Sequence, residues 1–231
     1  MQLRVIDANG TEMNETKHDA ETLEAIVFVG RSLGPFFRYD PKREGDIIGP
    51  SYDAIATMNA QKAAAEWPFA DERVAFHSLC LMQEGMEDDF DEMPMTWEYR
   101  RLFAGPAKKA APPWGSVYTD EDGVMFGASW VALREWMRNN GLAVEGEESR
   151  EPDDHIGLML EMMAWLAENR PELVDEYLSQ HLLTWSFHFL DRVIDVAQHP
   201  FFEGLAELAK SSLQGMQQAL QLNVVTPRFY R

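Results

Sequence analysis

Pro152-Asp153-Asp154-His155-Ile156-Gly157-Leu158-Met159-Leu160-Glu161-Met162-Met163-Ala164-Trp165-Leu166-Ala167-Glu168 is the stretch from which the architecture follows. Between Ile156 and Ala167 the single charged residue is Glu161. A helix that is apolar on nearly every side cannot sit on a surface, so it belongs in the middle of a bundle. Pro152 falls where the first helical residue would be, a position that tolerates proline because its missing amide had no partner to lose. The stretch stops short of the ~18 apolar residues that span a bilayer, as does every other apolar run in the chain.

Working outward, the punctuation predicts helices almost throughout. Asp19 is placed to cap a helix over 21–33, with Leu23, Ile26 and Val27 on its apolar face, and Gly34-Pro35 is expected to end it. A second helix is expected over 51–66, broken by Trp67-Pro68, and a third over 71–86. Residues 84–92 form an acidic run that reads as a solvated connector. Thr96 opens a short helix to Phe103, stopped by Gly105-Pro106. Residues 107–127 lack helical punctuation and hold Pro112-Pro113-Trp114-Gly115 and the turn signal Asp122-Gly123. Helices resume over 128–140, with Gly141 in the stop position, and then over 152–168, 171–183, 186–197 and 200–220. Pro171 and Pro200 repeat the pattern of Pro152. The expected fold is all-α: one bundle-like domain of about nine helices over 19–231, preceded by an N-terminal tail over 1–18. Its two halves join near the polar segment 144–150. That connector is a candidate hinge for exchange between copies, which leaves monomer and swapped dimer both open.

Composition limits the function. The 231 residues suffice for a sizeable core, and 45% are hydrophobic, too many for a disordered chain. The net charge of −19 disfavours nucleic acid and anionic membranes and attracts cationic partners, while also serving solubility. Cys80 is the one cysteine, so neither an internal disulfide nor a cysteine metal site is available. It lies in the run Leu79-Cys80-Leu81-Met82 and is expected in the core. The polar, acidic start over 1–16 is not a secretory signal, and a reducing compartment, the cytoplasm, fits best. No P-loop, dinucleotide turn, serine elbow or paired zinc histidines occur, so neither an enzyme nor a cofactor is expected. His181 and His188 are seven apart, on one face if their helix is unbroken, and lack the spacing of a zinc pair.

Three runs carry a family likeness: Arg100-Arg101-Leu102-Phe103-Ala104-Gly105-Pro106, then Ala111-Pro112-Pro113-Trp114-Gly115-Ser116-Val117-Tyr118, then Glu151-Pro152-Asp153-Asp154-His155-Ile156-Gly157. With Met163-Ala164-Trp165-Leu166, His181-Leu182-Leu183 and His199-Pro200-Phe201-Phe202 they resemble the TorD/DmsD family of redox-enzyme maturation chaperones, and most of all its DmsD-like branch. The likeness is dense from Tyr99 onward and weak before it. It implies an all-helical, non-catalytic protein of the cytoplasm. Such a protein binds the twin-arginine leader of a molybdopterin oxidoreductase, similar to dimethyl sulfoxide reductase, and holds it from export until the cofactor is inserted. Further partners that it implies are proteins of molybdenum-cofactor biosynthesis and the translocase, with no stable membrane insertion. The peptide-binding residues it implies are Tyr99, Leu102, Phe103, Pro113, Trp114, Glu151, Pro152, Asp154 and His155. Tyr99 stands where tryptophan is frequent in that branch, Ala107 lacks an aromatic seen in some members, and Glu161 replaces a familiar leucine.

The residue chemistry fits. Two adjacent guanidinium groups followed by an apolar stretch call for carboxylates beside an apolar groove. Glu151, Asp153 and Asp154 supply the first; Leu102, Phe103, Pro113 and Trp114 supply the second. Plainer roles stand beside these: the acids as helix caps, Trp114 as a core plug, His155 as a buried hydrogen-bonding group, and the Met159, Met162, Met163 run as core. A maturation chaperone of a cytoplasmic nitrate-reductase-type enzyme is the alternative function. A helical metal-dependent hydrolase using Asp154, His155 and Glu161 is a more distant one.

Overall fold

The structure, a computed structural model, describes residues 3–5, 17–87, 94–144 and 151–231; of 3–5 and 143–144 it describes the backbone alone. Helix α8 (Ile156–Asn169) is the central element, with Ile156, Met159, Leu160, Met162, Met163 and Leu166 all buried. Against it runs α1 (Ala20–Arg38), whose apolar stripe buries Ile26, Val29, Leu33, Phe36 and Phe37. The two cross at very short range. A Cβ on Gly30 would lie 2.4 Å from the Leu160 carbonyl oxygen, and one on Gly157 would lie 2.8 Å from that of Gly34. Any side chain there would separate the helices. Arg38 and Glu161 form an ion pair across the same crossing, which accounts for an acid within the otherwise uncharged stretch 156–167.

Around this pair lie α2 (Gly45–Thr57), α3 (Ala60–Glu66), α4 (Glu72–Glu84), α5 (Met95–Tyr99), α6 (Ser116–Thr119), α7 (Ala128–Asn139), α9 (Val174–Tyr177), α10 (Ser186–Val196) and α11 (Pro200–Ala219). The fold is all-α, as expected, with eleven helices among the described residues. One addition is an antiparallel ribbon pairing β1 (Leu3–Val5) with β2 (Leu142–Val144), too short to leave a periodic signal. Helix α11 packs along α4 and α10, and its Phe201 and Phe202 join Phe36, Phe37, Tyr99, Phe103 and Phe189 in an edge-to-face aromatic core.

Several expected boundaries shift, each for a local reason. Helix α1 does not stop at Gly34-Pro35 but continues to Arg38. Proline ordinarily clashes with the Cβ of the residue before it, and Gly34 has none. The same pairing, Gly49-Pro50, lies inside α2. The expected helix over 51–66 is two helices, because the Asn59 side chain accepts from the Lys62 amide and starts a new one. Thr96 is not a cap; α5 begins at Met95 and passes into a π-helical turn over Arg100–Ala104. Helix α8 begins at Ile156 rather than Pro152, with His155 as its N-cap: Nδ1 accepts from the Gly157 amide. Glu151, Asp153 and Asp154 therefore precede the helix instead of filling its first turn. Cys80 is half-buried rather than in the core. A second π-helical turn, Leu178–Leu182, carries His181, and α10 carries His188, so the two share no unbroken helix; His181 packs on Trp136 and Tyr177, whereas His188 stacks on Phe229. Most of the acidic run over 84–92 and of the connector over 144–150 lies outside the described residues.

The crossing makes a paired prediction. Gly30→Ala should destabilise the chain by about 1–3 kcal/mol through overpacking. Gly45→Ala, at the start of α2 with nothing within 4 Å of the new methyl, should be neutral or stabilise by about 0.4–1 kcal/mol. Urea unfolding of the two variants beside the parent checks both.

Candidate functional site

The segments carrying the two most distinctive motifs pair with each other. The Ile156 amide donates to the Pro113 carbonyl at 2.8 Å, and the Gly115 amide to the Asp154 carbonyl at 3.1 Å, so Trp114 and His155 face one another in an antiparallel bridge. Side chains reinforce the bridge. The Ser116 amide donates to Asp154 Oδ2 at 2.7 Å, and the Trp114 indole N–H to Glu151 Oε1 at 2.6 Å. Gly115 is required, since a Cβ there would meet the Trp185 ring at 2.7 Å. The Tyr118 hydroxyl donates back to the Pro112 carbonyl and fixes the far end of the segment. A third link leaves the turn sideways: Arg134 of α7 donates to Asp153 Oδ2 at 3.0 Å.

This bridge forms one wall of a cleft of about 530 Å³. The opposite walls are the end of α1 with the turn after it (Arg38, Asp40, Arg43, Glu44) and the stretch from Tyr99 to Pro106. Of the sequence-predicted residues, Tyr99, Phe103, Trp114, Glu151 and His155 line the cleft. Leu102, Pro113, Pro152 and Asp154 are buried outside its lining. The expected apolar groove is thereby corrected. Leu102 and Phe103 belong to the aromatic core, Pro113 is held in the bridge, and even Trp114 is only 8% exposed. Tyr99 has a structural task too, its hydroxyl donating to the Arg38 carbonyl at 2.8 Å at the end of α1. A phenol projects its oxygen beyond the ring and so reaches those carbonyls from the core.

Asp154, expected to receive an arginine, is 2% exposed and braces the bridge from beneath. Burial raises its pKa, opposed by the hydrogen bonds from Ser116, and Oδ1 has no hydrogen-bond partner among the described residues. Burial also raises the pKa of Glu151, opposed by Trp114 and the nearby Lys109 and Arg38. His155 is held neutral, its pKa pushed down to about 3 by burial and by the Arg38 charge. The cleft gathers charges of both signs: Asp40, Glu44 and Glu151 against Arg38, Arg43, Arg100 and Lys109. Arg100 donates to Asp40 Oδ2 at 2.8 Å, and Lys109 lies 5.3 Å from the Trp114 ring centroid. Next to Arg100, Arg101 donates from Nε and Nη2 to the two carboxylate oxygens of the fully buried Glu98.

Sequence reasoning missed Arg38, Asp40, Arg43, Glu44, Arg100 and Lys109. The first four lie in the N-terminal part, where the motif likeness is weak, and they reach the cleft only because α1 runs on past Pro35. Arg100 and Lys109 sit in or beside quoted motifs, yet their spacing gives no hint of a shared cleft. Among the described residues no cluster of three or more histidine, cysteine, aspartate or glutamate side chains is arranged to hold a metal.

Asp154→Ala leaves the Ser116 amide buried without its acceptor and should cost about 1–3 kcal/mol in urea unfolding. The histidines set the pH dependence. His155 and His181 have native pKa values near 3 and 4, well below the usual histidine range, because of burial. The unfolded chain therefore binds protons that the native chain does not, and stability falls as the pH drops below about 6.5. The raised carboxyls Asp154 and Glu151 act in the opposite sense, and His199, also lowered by burial, acts in the same sense as the other two histidines. Between about pH 7 and about pH 5.5 one such histidine contributes about 1 kcal/mol of the loss, and His181→Gln should reduce the fall by about that much. Unfolding curves at the two pH values measure this.

The family model described as nitrate reductase delta subunit matches residues 68–194. Over 207 residues the chain is 39% identical to the Tat proofreading chaperone DmsD of Salmonella typhimurium, covering 89% of this chain and 96% of the relative. It is 37% identical over 211 residues to a Haemophilus influenzae protein described as "Probable Tat proofreading chaperone DmsD", covering 91% of this chain and 98% of the relative. A chaperone protein TorD from Vibrio cholerae is 29% identical over 135 residues, covering 53% of this chain and 60% of the relative. These relatives are named as chaperones and not as catalysts. No helix among the described residues is long and apolar enough to cross a membrane. From the family match and the full-length similarity to DmsD, the chain belongs to the TorD/DmsD family of redox-enzyme maturation chaperones.

Proposed function

We propose that this chain binds the twin-arginine leader of a molybdoenzyme similar to dimethyl sulfoxide reductase and retains the precursor in the cytoplasm until its cofactor is inserted. The observation that carries this reading is the cleft, where Asp40, Glu44 and Glu151 stand together on its lining. The chain's own cations already lie among them, Arg100 on Asp40 and Lys109 near Glu151. The three carboxylates are hydrogen-bond acceptors suited to guanidinium, and leader arginines would exchange with the internal cations that now balance them. An exchange of partners keeps the carboxylates neutralised throughout, which avoids leaving a desolvated charge unpaired. Of the carboxylates first read as arginine receptors, Glu151 keeps that part here, joined by Asp40 and Glu44. Asp154 holds the bridge that positions Glu151. The relatives' description as Tat proofreading chaperones supports the leader as ligand.

Glu151→Gln tests this with little change of shape, since the amide oxygen can still accept from the Trp114 indole. Charge-assisted contacts of this kind contribute about 1.5–3 kcal/mol when partly desolvated, so affinity for a twin-arginine leader should fall about tenfold or more. Affinity for a twin-glutamine leader should be unaffected. Titration calorimetry of the four combinations gives the coupling directly, and zero coupling would move the arginines elsewhere.

The family model's description, nitrate reductase delta subunit, favours a second reading in which the client is a nitrate-reductase-type enzyme that stays in the cytoplasm. Capture from the native cytoplasm separates the two: a client bearing a twin-arginine leader supports the first, a leaderless one the second.

A further inference from the structure

We propose that residues 124–126, together with Val131 on α7, dock the apolar stretch that follows the arginines of a leader; this rests on the leader-binding reading above. The cleft itself cannot supply such a surface, because its aromatic residues Tyr99, Phe103 and Trp114 are all buried. A leader whose arginines enter the cleft still carries an apolar segment that must leave water. Exposed apolar surface is concentrated elsewhere: Val124 is 49% exposed, Met125 45%, Phe126 50% and Val131 42%. Phe28, Ile47, Phe76 and Trp97 are dispersed one to an element, and Val225 and Tyr230 stand five residues apart in the C-terminal segment after α11.

The tip is held out by its backbone. Phe126 sits at φ 65, a left-handed conformation that a bulky side chain seldom adopts, and its ring stands edge-on to Trp130 at 5.1 Å. Such strain persists only where the surroundings impose it. Here Asp120 imposes it, its carboxylate accepting from the Ala128 amide and closing the loop just before α7. The same helix is tied to the cleft. Trp130 lies under the Arg134 guanidinium, and Arg134 is bonded to Asp153 in the turn that carries Glu151. The apolar tip and the arginine-binding wall are therefore joined by one continuous set of contacts.

Charge selects the occupant. Asp120, Glu121 and Asp122 border the tip, in a chain of net charge −19. A second copy of the chain would bring a like-charged surface and is repelled; an apolar segment preceded by arginines is attracted.

Phe126→Gly is the informative variant, because glycine adopts φ 65 without strain and the fold should be as stable as the parent or more so. The probe is a synthetic peptide with two adjacent arginines followed by a leucine- and alanine-rich stretch, titrated calorimetrically into the full chain. Phe126→Gly should bind it about tenfold more weakly, and Val131→Ser should also weaken it. A peptide with serines in place of the apolar stretch should bind parent and variants alike. Parental affinity of both variants for the apolar peptide overturns the proposal. If that occurs while Glu151→Gln still loses its arginine preference, the docking site falls and the leader-binding reading stands. If the parent chain binds neither peptide, both fall. A parental dimer in sedimentation that Phe126→Gly dissolves would assign the tip to a second copy and overturn the proposal as well.

Discussion

The near-contact of α1 with α8 through Gly30, Gly34 and Gly157 is the constraint from which the remaining geometry follows. Apolar helices pack as closely as their interfacial side chains permit, and three glycines bring backbone against backbone. Dispersion contacts grow with that proximity, and the Arg38–Glu161 ion pair fixes the register along the crossing. Because the register is fixed, the last turn of α1 ends against the start of α8. Arg38, Asp40 and Glu44 thus arrive opposite His155 and Glu151, and the cleft exists because the crossing is tight.

A second layer of organisation is the bridge between 113–116 and 154–156. Irregular segments buried against a core need partners for every amide and carbonyl. These two satisfy one another, and Asp154 accepts the Ser116 amide that the bridge leaves over. The motif residues in this region consequently divide by task. Gly115, Pro113 and Asp154 build the wall, whereas Trp114, Glu151 and His155 present it to the cleft. His155 serves both ends, capping α8 with Nδ1 while its ring closes the cleft floor. Its neutrality follows from burial beside a guanidinium, so no charge opposes Arg38 from below.

The electrostatics of the cleft run against the overall charge. A chain of −19 concentrates Arg38, Arg43, Arg100 and Lys109 around one opening, with Arg38 on Glu161, Arg100 on Asp40 and Lys109 near Glu151. Such pairing costs little to rearrange where the partners are part-exposed, and more where they are buried. Arg101 with the buried Glu98 is of the second kind and stays structural. Arg100 with Asp40, on the cleft wall, lies between the two, a part-exposed guanidinium on a buried carboxylate.

The all-helical class, the capped start of α1, the central place of α8 and the importance of the 111–118 and 151–157 runs were legible in the chain, because each rests on local periodicity, capping or a contiguous motif. The tertiary structure decided what those residues do. That Gly34-Pro35 would be crossed and not obeyed depends on the missing Cβ of Gly34 and on the packing of α1 against α8, which no local rule contains. That Asp154 is a brace and Glu151 a cleft carboxylate depends on which oxygen meets the Ser116 amide, and those residues are 38 positions apart. That Phe103 fills the core while Phe126 stands in water is likewise a matter of what the chain folds against each ring. A sequence determines the chemistry of a side chain; only the folded neighbours determine which way it faces.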